Sequence, residues 1–258
     1  MPMLLGPRRA LLRKPKKLAA AAPYIAKGVV FNGSTAYLSR GANLDGVSDG
    51  RVGACSFWNW IKGNNSSFLS ILWNTGGRIQ IYRGNTNPGR WTLLGRNTSG
   101  GTILFAQTDD LYNASQSAYQ HIAMSWDLPN GIAQIVIDGV DAVEGAPTIT
   151  NENIDYNQAA GNFTIGATGT PAQQYNGWLA DFWLTLTEFV DFSNPTTLEK
   201  FRSVGGSPVD LGSDGSAPTG NPPQVFFKGP ASAFSTNLGT GGAFTLNGSL
   251  SDAASDPP

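Results

Sequence analysis

The sequence predicts an all-β protein built as an antiparallel β-sandwich, with an extended N-terminal arm and an extended C-terminal segment. Apolar residues recur at every second position in several short runs, and turn residues end each run, which is typical of half-buried antiparallel strands. Dipeptides such as Asn32-Gly33 and Asp138-Gly139 supply tight turns between the runs. Only 14% of the 258 residues are charged and 32 are Gly, a composition that favours sheets joined by turns.

Six runs of this kind follow one another along the chain. Their period of two places apolar side chains on one face of each strand and polar side chains on the other. A chain of 258 residues can bury one large core, and a single sandwich would use most of its length. The runs span residues 31–38, 56–62, 121–127, 135–139, 163–166 and 177–182.

Local patterns assign three further elements. In residues 78–82, Ile79 and Ile81 point one way while Arg78, Gln80 and Tyr82 point the other, which predicts a strand. Residues 132–143 predict a hairpin that turns at 138–139. Residues 195–203 predict the one helix of the chain, with Asn194 as its N-cap and Pro195 in its first turn.

The strand predicted over residues 177–185 is apolar on both faces. Because both sets of alternating residues are mostly apolar, we expect this strand to be covered on both sides. Strict alternation places Trp178, Ala180, Phe182 and Leu184 on one face, and Leu179, Asp181 and Trp183 on the other.

Basic residues are concentrated at the start of the chain. Residues 1–23 contain six of the 17 Lys and Arg residues and no acidic residue, whereas the rest of the chain carries 11 basic and 18 acidic residues. A basic arm on an acidic body predicts contact with nucleic acid, an acidic lipid surface or an acidic protein, and a solvated leader is the alternative. We assign the arm to anchoring through Arg8, Arg9, Arg13, Lys14, Lys16 and Lys17.

The chain divides into three parts by composition. The basic arm covers residues 1–23, the strand pattern covers 24–203, and a segment rich in Gly, Ser and Pro covers 204–258. This last segment needs a surface to cover, either the sandwich itself or a neighbouring copy, because a solvated linker would not carry so many large apolar rings. The rings are Phe226, Phe227, Phe234 and Phe244.

Export and redox signals are weak. The apolar stretch 18–22 is shorter than the h-region of a signal peptide, so we expect no secretion signal. No apolar run approaches the roughly 20 residues of a membrane helix. Cys55 is the single cysteine and lies in an apolar strand pattern, which predicts a buried thiol in a protein made in a reducing cytoplasm.

The ordered strand motifs resemble the laminin-G-like, concanavalin A-like jelly roll over about residues 28–203. That resemblance implies a sandwich that binds ligands far more often than it transforms them. The residues that carry it are Phe31, Asn32, Gly33 and Tyr37 in the opening strand, Trp58 or Trp60 in a later one, then His121-Ile122-Ala123, Asp138-Gly139, Ile165-Gly166 and residues 177–182.

The C-terminal segment is similar to the ending of laminin-G-like proteins encoded in tailed bacteriophages, in residues 210–220 and 234–250. This resemblance implies a structural virion protein, a head decoration or a fibre or spike, made in the host cytoplasm. We expect capsid, neck or tail proteins, further copies of the chain and a host surface glycan as partners, rather than a membrane or nucleic acid. The alternative function is an adhesion module that recognises host glycan.

Enzyme chemistry is not expected. Glucanases with this type of sandwich place paired carboxylates on one strand face as Glu-x-Asp-x-Glu, and no two glutamates here are four residues apart. His121 is the single histidine and lies among apolar residues, which indicates a structural role. With one His and one Cys, the sequence offers no zinc site of the usual kind.

Calcium and sugar remain the candidate ligands. Laminin-G-like domains often hold Ca²⁺ at a rim, and Asp109 and Asp110 are the candidate ligands here, with Asp45 and Asp49 as a second pair. Sugar binding needs an aromatic platform with amide partners. Trp91, beside the loop at 87–90, is the candidate platform, although a core position is its alternative interpretation. Asn64 and Asn65 are the candidate amide partners.

Overall fold

Two antiparallel β-sheets packed face to face form the body of the computed structural model, which describes residues 24–61, 69–84, 89–109, 117–169 and 172–258. The strands are β1 (Val29–Asn32), β2 (Tyr37–Ser39), β3 (Val52–Ile61), β4 (Leu69–Asn74), β5 (Ile79–Arg83), β6 (Trp91–Arg96), β7 (Thr102–Gln107), β8 (Gln120–Asp127), β9 (Ile132–Ile137), β10 (Val140–Asp141), β11 (Thr148–Ile149), β12 (Phe163–Ile165), β13 (Asn176–Thr185), β14 (Val225–Phe227), β15 (Thr245–Asn247) and β16 (Ser251–Asp252). The predicted all-β sandwich is confirmed.

Each sheet has eight strands. Sheet A has the order β10-β9-β8-β3-β13-β1-β16, with β14 also paired to β13, and sheet B has the order β11-β7-β6-β5-β4-β12-β2-β15. The core lies between them, where Phe57 of sheet A meets Trp91 of sheet B with ring centroids 5.7 Å apart. The alternation predicted for residues 78–82 is confirmed, because Ile79 and Ile81 are buried in this core.

A bulge in β13 changes the face of sheet A on which its side chains lie. The register with β3 shifts between Ala180 and Trp183, and Asp181 adopts φ of +47° at that point. Strict alternation is therefore wrong here, because the extra residue places Phe182 on the inner face with Leu179, and Trp183 on the outer face with Trp178. The strand is covered on both faces, as predicted.

The predicted hairpin and the start of the helix are confirmed. Asp138 and Gly139, with φ of 51° and 87°, turn β9 into β10. The positive φ at both positions fits the twist of the hairpin. The helix α1 (Pro195–Leu198) begins after Asn194, whose side-chain oxygen accepts a hydrogen bond from the Thr196 N–H at 3.0 Å. It is shorter than predicted, and hydrogen-bonded turns continue the chain to residue 202.

The C-terminal segment wraps over the sandwich. Strands β14 and β16 extend sheet A, and β15 extends sheet B. Phe227 and Phe234 are fully buried in the core between the sheets, and Phe226 is buried on the outer face of sheet A. Full burial of each ring contributes roughly 1.5–3 kcal/mol. Of the two surfaces considered for this segment, it covers the sandwich of its own chain.

The outer face of sheet A carries a second packing layer. Phe192, Phe201 and Leu211 cover its middle beside Trp183. Nearer the end of the strands, residues 24–28 pack on Trp58 and Trp178 together with Ala253. Lys27 fixes this contact, since its ammonium lies 2.6 Å from the Asp256 carboxylate. Sheet A is therefore buried on both sides.

The single thiol is buried, as predicted. Cys55 has no exposed surface, and burial raises its pKa well above the usual value. A thiol in that state is poorly reactive. Among the described residues, no helix has the length and hydropathy that a membrane span requires. The six basic residues of the predicted anchoring arm lie outside the described residues.

Candidate functional site

In the described part of the chain, the outer face of sheet B is less covered than that of sheet A. The turn at 166–169 contacts its central strands β4 and β12, where the Ser70 and Thr164 hydroxyls donate to the Ala167 carbonyl. Ser70, Thr92, Leu94 and Thr164 are buried, and the other side chains of this face are partly or fully exposed. We call this surface the open face. Strand registers align its side chains in two rows across the sheet. One row is Thr245, Ser39, Thr164, Trp73, Gln80, Leu94, Phe105 and Thr148, and the other is Ser70, Tyr82, Thr92 and Gln107.

Three aromatic side chains of the open face are partly exposed, namely Trp73, Tyr82 and Phe105. Trp73 and Phe105 are three strands apart, or about 14 Å at a strand spacing of about 4.8 Å. The Trp73 ring rests on the backbone of Gly169, where an added Cβ would lie 2.0 Å from the ring. Only glycine therefore leaves room for the indole at position 169.

Polar groups surround these rings. The Tyr82 hydroxyl is hydrogen-bonded to Thr92, and the Gln107 side-chain amide donates to the Thr92 hydroxyl at 3.0 Å. Burial raises the pKa of Tyr82, so its hydroxyl stays protonated at neutral pH. On the other side, the Gln80 amide donates to the Gly77 carbonyl at 3.0 Å. Rings of this kind can stack on the apolar face of a ligand while the amides bond to its hydroxyls.

A polar recess at the end of the sandwich is the rival site. It has a volume of about 510 Å³ and is lined by Arg51, Asn97, Thr98, Ser99, Asn151, Glu152 and Asn153. Arg51 donates to the side-chain oxygens of Asn153 at 2.8 Å and Asn151 at 3.0 Å, so its polar groups already satisfy one another. No aromatic side chain lines this recess among the described residues, which leaves it without a stacking surface.

Trp91 is not a platform, and its prediction as a sugar-binding residue is wrong. Its side chain is fully buried against Phe57 in the core. The register pairs Trp91 with Arg83, and both side chains point between the sheets. Trp91 is the first residue of strand β6 and lies on the inner face, so the alternative interpretation as a core residue is confirmed.

The other predicted site residues are only partly described. Asn64, Asn65 and Asp110 lie outside the described residues. Asp109 follows β7 and is half-buried. No group of three or more His, Cys, Asp or Glu side chains that could hold a metal ion occurs in the described ranges. Asp45 is paired with Arg40 at 2.6 Å.

His121 is part of the packing of sheet A. Its Nε2 lies 2.8 Å from the Ser56 hydroxyl oxygen, and both side chains are buried. Burial lowers the pKa of His121 to about 3, so the ring is neutral at physiological pH. The tilted contact with the Trp58 ring, at 5.0 Å between centroids, fills the space around the imidazole. This Ser–His pair therefore has no surface on which a substrate could approach it.

Asp181 is a buried carboxylate on the covered side of sheet A. Both of its oxygens lie 3.0 Å from the Tyr24 hydroxyl, which donates to them. Burial raises the pKa of Asp181 to about 7, while the Tyr24 hydrogen bond and the charge of Lys228 oppose that rise. The carboxylate thus fastens residue 24 to the bulge of β13.

Comparison with solved structures identifies proteins of similar fold. A candidate carbohydrate-binding protein from Bacteroides ovatus superposes with a TM-score of 0.60 at 14% identity, over 91% of this chain and 62% of that one. The heptameric SAP-like pentraxin of Limulus polyphemus superposes with a TM-score of 0.56 at 10% identity, over 90% of this chain and 97% of that one. Domains LG4-5 of the mouse laminin alpha1 chain superpose with a TM-score of 0.43 at 14% identity, over 69% of this chain and 47% of that one.

The chain has the jelly-roll sandwich fold of the two proteins that superpose with TM-scores of 0.60 and 0.56. No protein-family model matches the sequence, and no curated protein matches it either. At identities of 10% and 14% the structural similarity establishes the architecture. The predicted jelly roll is confirmed on that ground.

Sequence reasoning missed the open face. Six tryptophans other than Trp91 lie in strand patterns, which favour a core position for each of them. Trp58, Trp126, Trp178 and Trp183 are buried, but Trp60 and Trp73 are partly exposed. A signal did exist in β5, where the alternation of residues 79–82 places Gln80 and Tyr82 away from the core.

Proposed function

We propose that this protein is a carbohydrate-binding module that holds a saccharide on the open face of sheet B. The observation that carries the proposal is the set of three partly exposed rings, Trp73, Tyr82 and Phe105, flanked by the amides of Gln80 and Gln107. Sugar rings present apolar faces bordered by hydroxyls, and this surface offers both kinds of contact. The similarity in fold to a candidate carbohydrate-binding protein supports the proposal.

The spacing of the rings supports an extended ligand. Tyr82 lies two residues beyond Gln80 along β5, or about 7 Å, and Phe105 lies two strands away from Gln80. A chain of sugar units would cross several strands to contact all three rings. We therefore expect an oligosaccharide to bind more tightly than its monosaccharide.

Replacing Trp73 or Tyr82 by alanine is expected to weaken glycan binding at least tenfold, which is about 1.4 kcal/mol. Loss of a stacking surface is the reason, since neither ring belongs to the core. A glycan array with the full chain identifies a ligand, and titration calorimetry measures the affinity of each variant. Trp60→Ala is the matched control, because it removes a partly exposed indole from the opposite sheet. Equal losses in Trp73→Ala and Trp60→Ala would contradict the proposal.

We also propose that the module does not transform its ligand. The buried Ser56–His121 pair and the wide spacing of the glutamates support this part of the proposal. Incubation of the protein with any glycan found on the array, followed by an assay for reducing ends, is the direct test. A steady release of reducing sugar would show that the module is an enzyme.

A virion role stays a prediction. It is supported by the basic residues of segment 1–23 and by the resemblance of the C-terminal segment to phage proteins. Display on a particle and adhesion to a glycan are compatible, so this role adds a location to the binding function. Calcium at Asp109 and assembly into an oligomer are further predictions, which dialysis against a chelator and sedimentation analysis would test.

Deletion of residues 1–23 is expected to abolish incorporation into phage particles, because the predicted anchor would be lost. The measurement is the amount of the protein in purified particles, with the unmodified gene as reference. Substitution of the six basic residues by glutamine is the matched variant, since it keeps the length and removes the charge. Normal incorporation of both variants would contradict the anchoring role.

A further inference from the structure

We infer that the ligand of the open face is an acidic glycan, and that Arg96 binds its anionic group. The inference rests on the proposed carbohydrate-binding function and specifies the class of glycan. The anionic group is a carboxylate or a sulfate. Each presents at least two oxygens that can accept hydrogen bonds from one guanidinium.

Arg96 lies at one margin of the open face. It is the last residue of β6, two positions beyond Leu94, and is partly exposed. Its Nη1 donates to the Gly77 carbonyl at 2.8 Å, and the Gln80 amide donates to the same oxygen. The guanidinium and the amide therefore converge beside the aromatic rings. The charge of Arg96 also opposes the rise in the pKa of Tyr82.

The charge of Arg96 is not neutralised within the described residues. Arg78 lies 3.5 Å from the Asp155 carboxylate and Arg90 is paired with Glu144, but Arg96 forms no ion pair with a described carboxylate. Its described hydrogen bond uses one of the five N–H groups of the guanidinium. The remaining donors are suited to a bidentate contact with an external anion.

The open face differs in charge from the rest of the chain. Neither of its two rows contains Asp or Glu. The chain after residue 23 nevertheless carries more acidic than basic side chains, 18 against 11. An unopposed cation on this face attracts an acidic ligand, while the acidic body repels it elsewhere. Charge complementarity thus favours binding at Arg96.

The test compares glycans that differ only in charge. Oligogalacturonate is paired with its methyl ester, and dextran sulfate with dextran, so both reference glycans are neutral and the two pairs distinguish carboxylate from sulfate. We expect the full chain to bind at least one acidic member tenfold or more tightly than its neutral partner, and 0.5 M NaCl to reduce that preference. Arg96→Gln should abolish the preference, and Arg96→Lys should retain part of it. Lys200→Gln, which removes a charge from an exposed residue on the covered side, should change nothing.

Each result has one meaning. A neutral glycan bound as tightly as its acidic partner, or an acidic preference that survives in Arg96→Gln, overturns the inference and leaves the proposed function intact. Binding to neutral array glycans with no binding to either acidic probe has the same meaning. An array on which no glycan of any class binds overturns the proposed function itself. Circular dichroism of each variant establishes that the fold is retained.

Discussion

Replacing Trp91 by alanine is expected to lower the free energy of unfolding by about 3–5 kcal/mol, because it empties a large volume in the centre of the sandwich. The indole is fully buried and meets Phe57 edge to face. The backbone N–H of Trp91 also donates to the Thr108 hydroxyl at 3.0 Å, which ties β6 to the end of β7. Urea unfolding followed by tryptophan fluorescence or circular dichroism measures the loss.

Trp91→Phe keeps this prediction testable if the alanine variant does not fold. It removes less volume and should lose about half as much stability. Trp73→Ala is the natural comparison, because its ring lies on the open face and its loss should leave the urea midpoint nearly unchanged while it weakens glycan binding. The burial assignment fails if Trp91→Ala unfolds at the wild-type midpoint and instead loses ligand affinity.

Asp181→Asn is expected to stabilise the protein at pH 8 by up to about 4 kcal/mol, the free energy that corresponds to a pKa raised from 3.8 to about 7. Asparagine keeps an oxygen that accepts the hydrogen bond from Tyr24 and removes the buried charge. It also tolerates φ of +47° better than alanine, so the bulge of β13 is preserved.

The direction of the pH dependence follows from the raised pKa. Below about pH 3.8 the carboxyl is protonated in both the folded and the unfolded protein, and its contribution to stability is fully present. Between that pH and about 7 the unfolded chain releases the proton and the folded protein retains it, so stability falls as pH rises. Asp181→Asn should lack this fall. Tyr24, Lys228 and Asp210 are the ionisable groups that act on Asp181.

Urea unfolding of both proteins at pH 5 and pH 8 measures the effect. The difference between variant and wild type should be larger at pH 8 than at pH 5. Asp141→Asn is the matched control, since Asp141 is exposed in β10 and is not among the groups that act on Asp181. A variant that is destabilised equally at both pH values would show that the ionised carboxylate of Asp181 strengthens the fold.

The two tryptophans at residues 73 and 91 show how far the sequence could define the site. Both lie in strand patterns, and nothing in their neighbours distinguishes a ring that faces the core from one on the outer face. The difference arises from the pairing register, which aligns Trp91 with Arg83 on the inside and Trp73 with Gln80 on the outside. The aromatic and polar groups of the open face come from the four strands β4 to β7, so no local motif reports them.

The sequence by itself determined the local features of this protein. Alternation in residues 79–82, the turn at Asp138-Gly139 and the cap at Asn194 each depend on neighbouring residues and on backbone sterics, which a short segment already specifies. Only the tertiary structure decided which sheet the C-terminal segment covers, where β13 bulges and which aromatic rings reach solvent. Those properties depend on contacts between residues far apart in the chain, and the periodicity of one strand is the same whichever of its faces becomes buried.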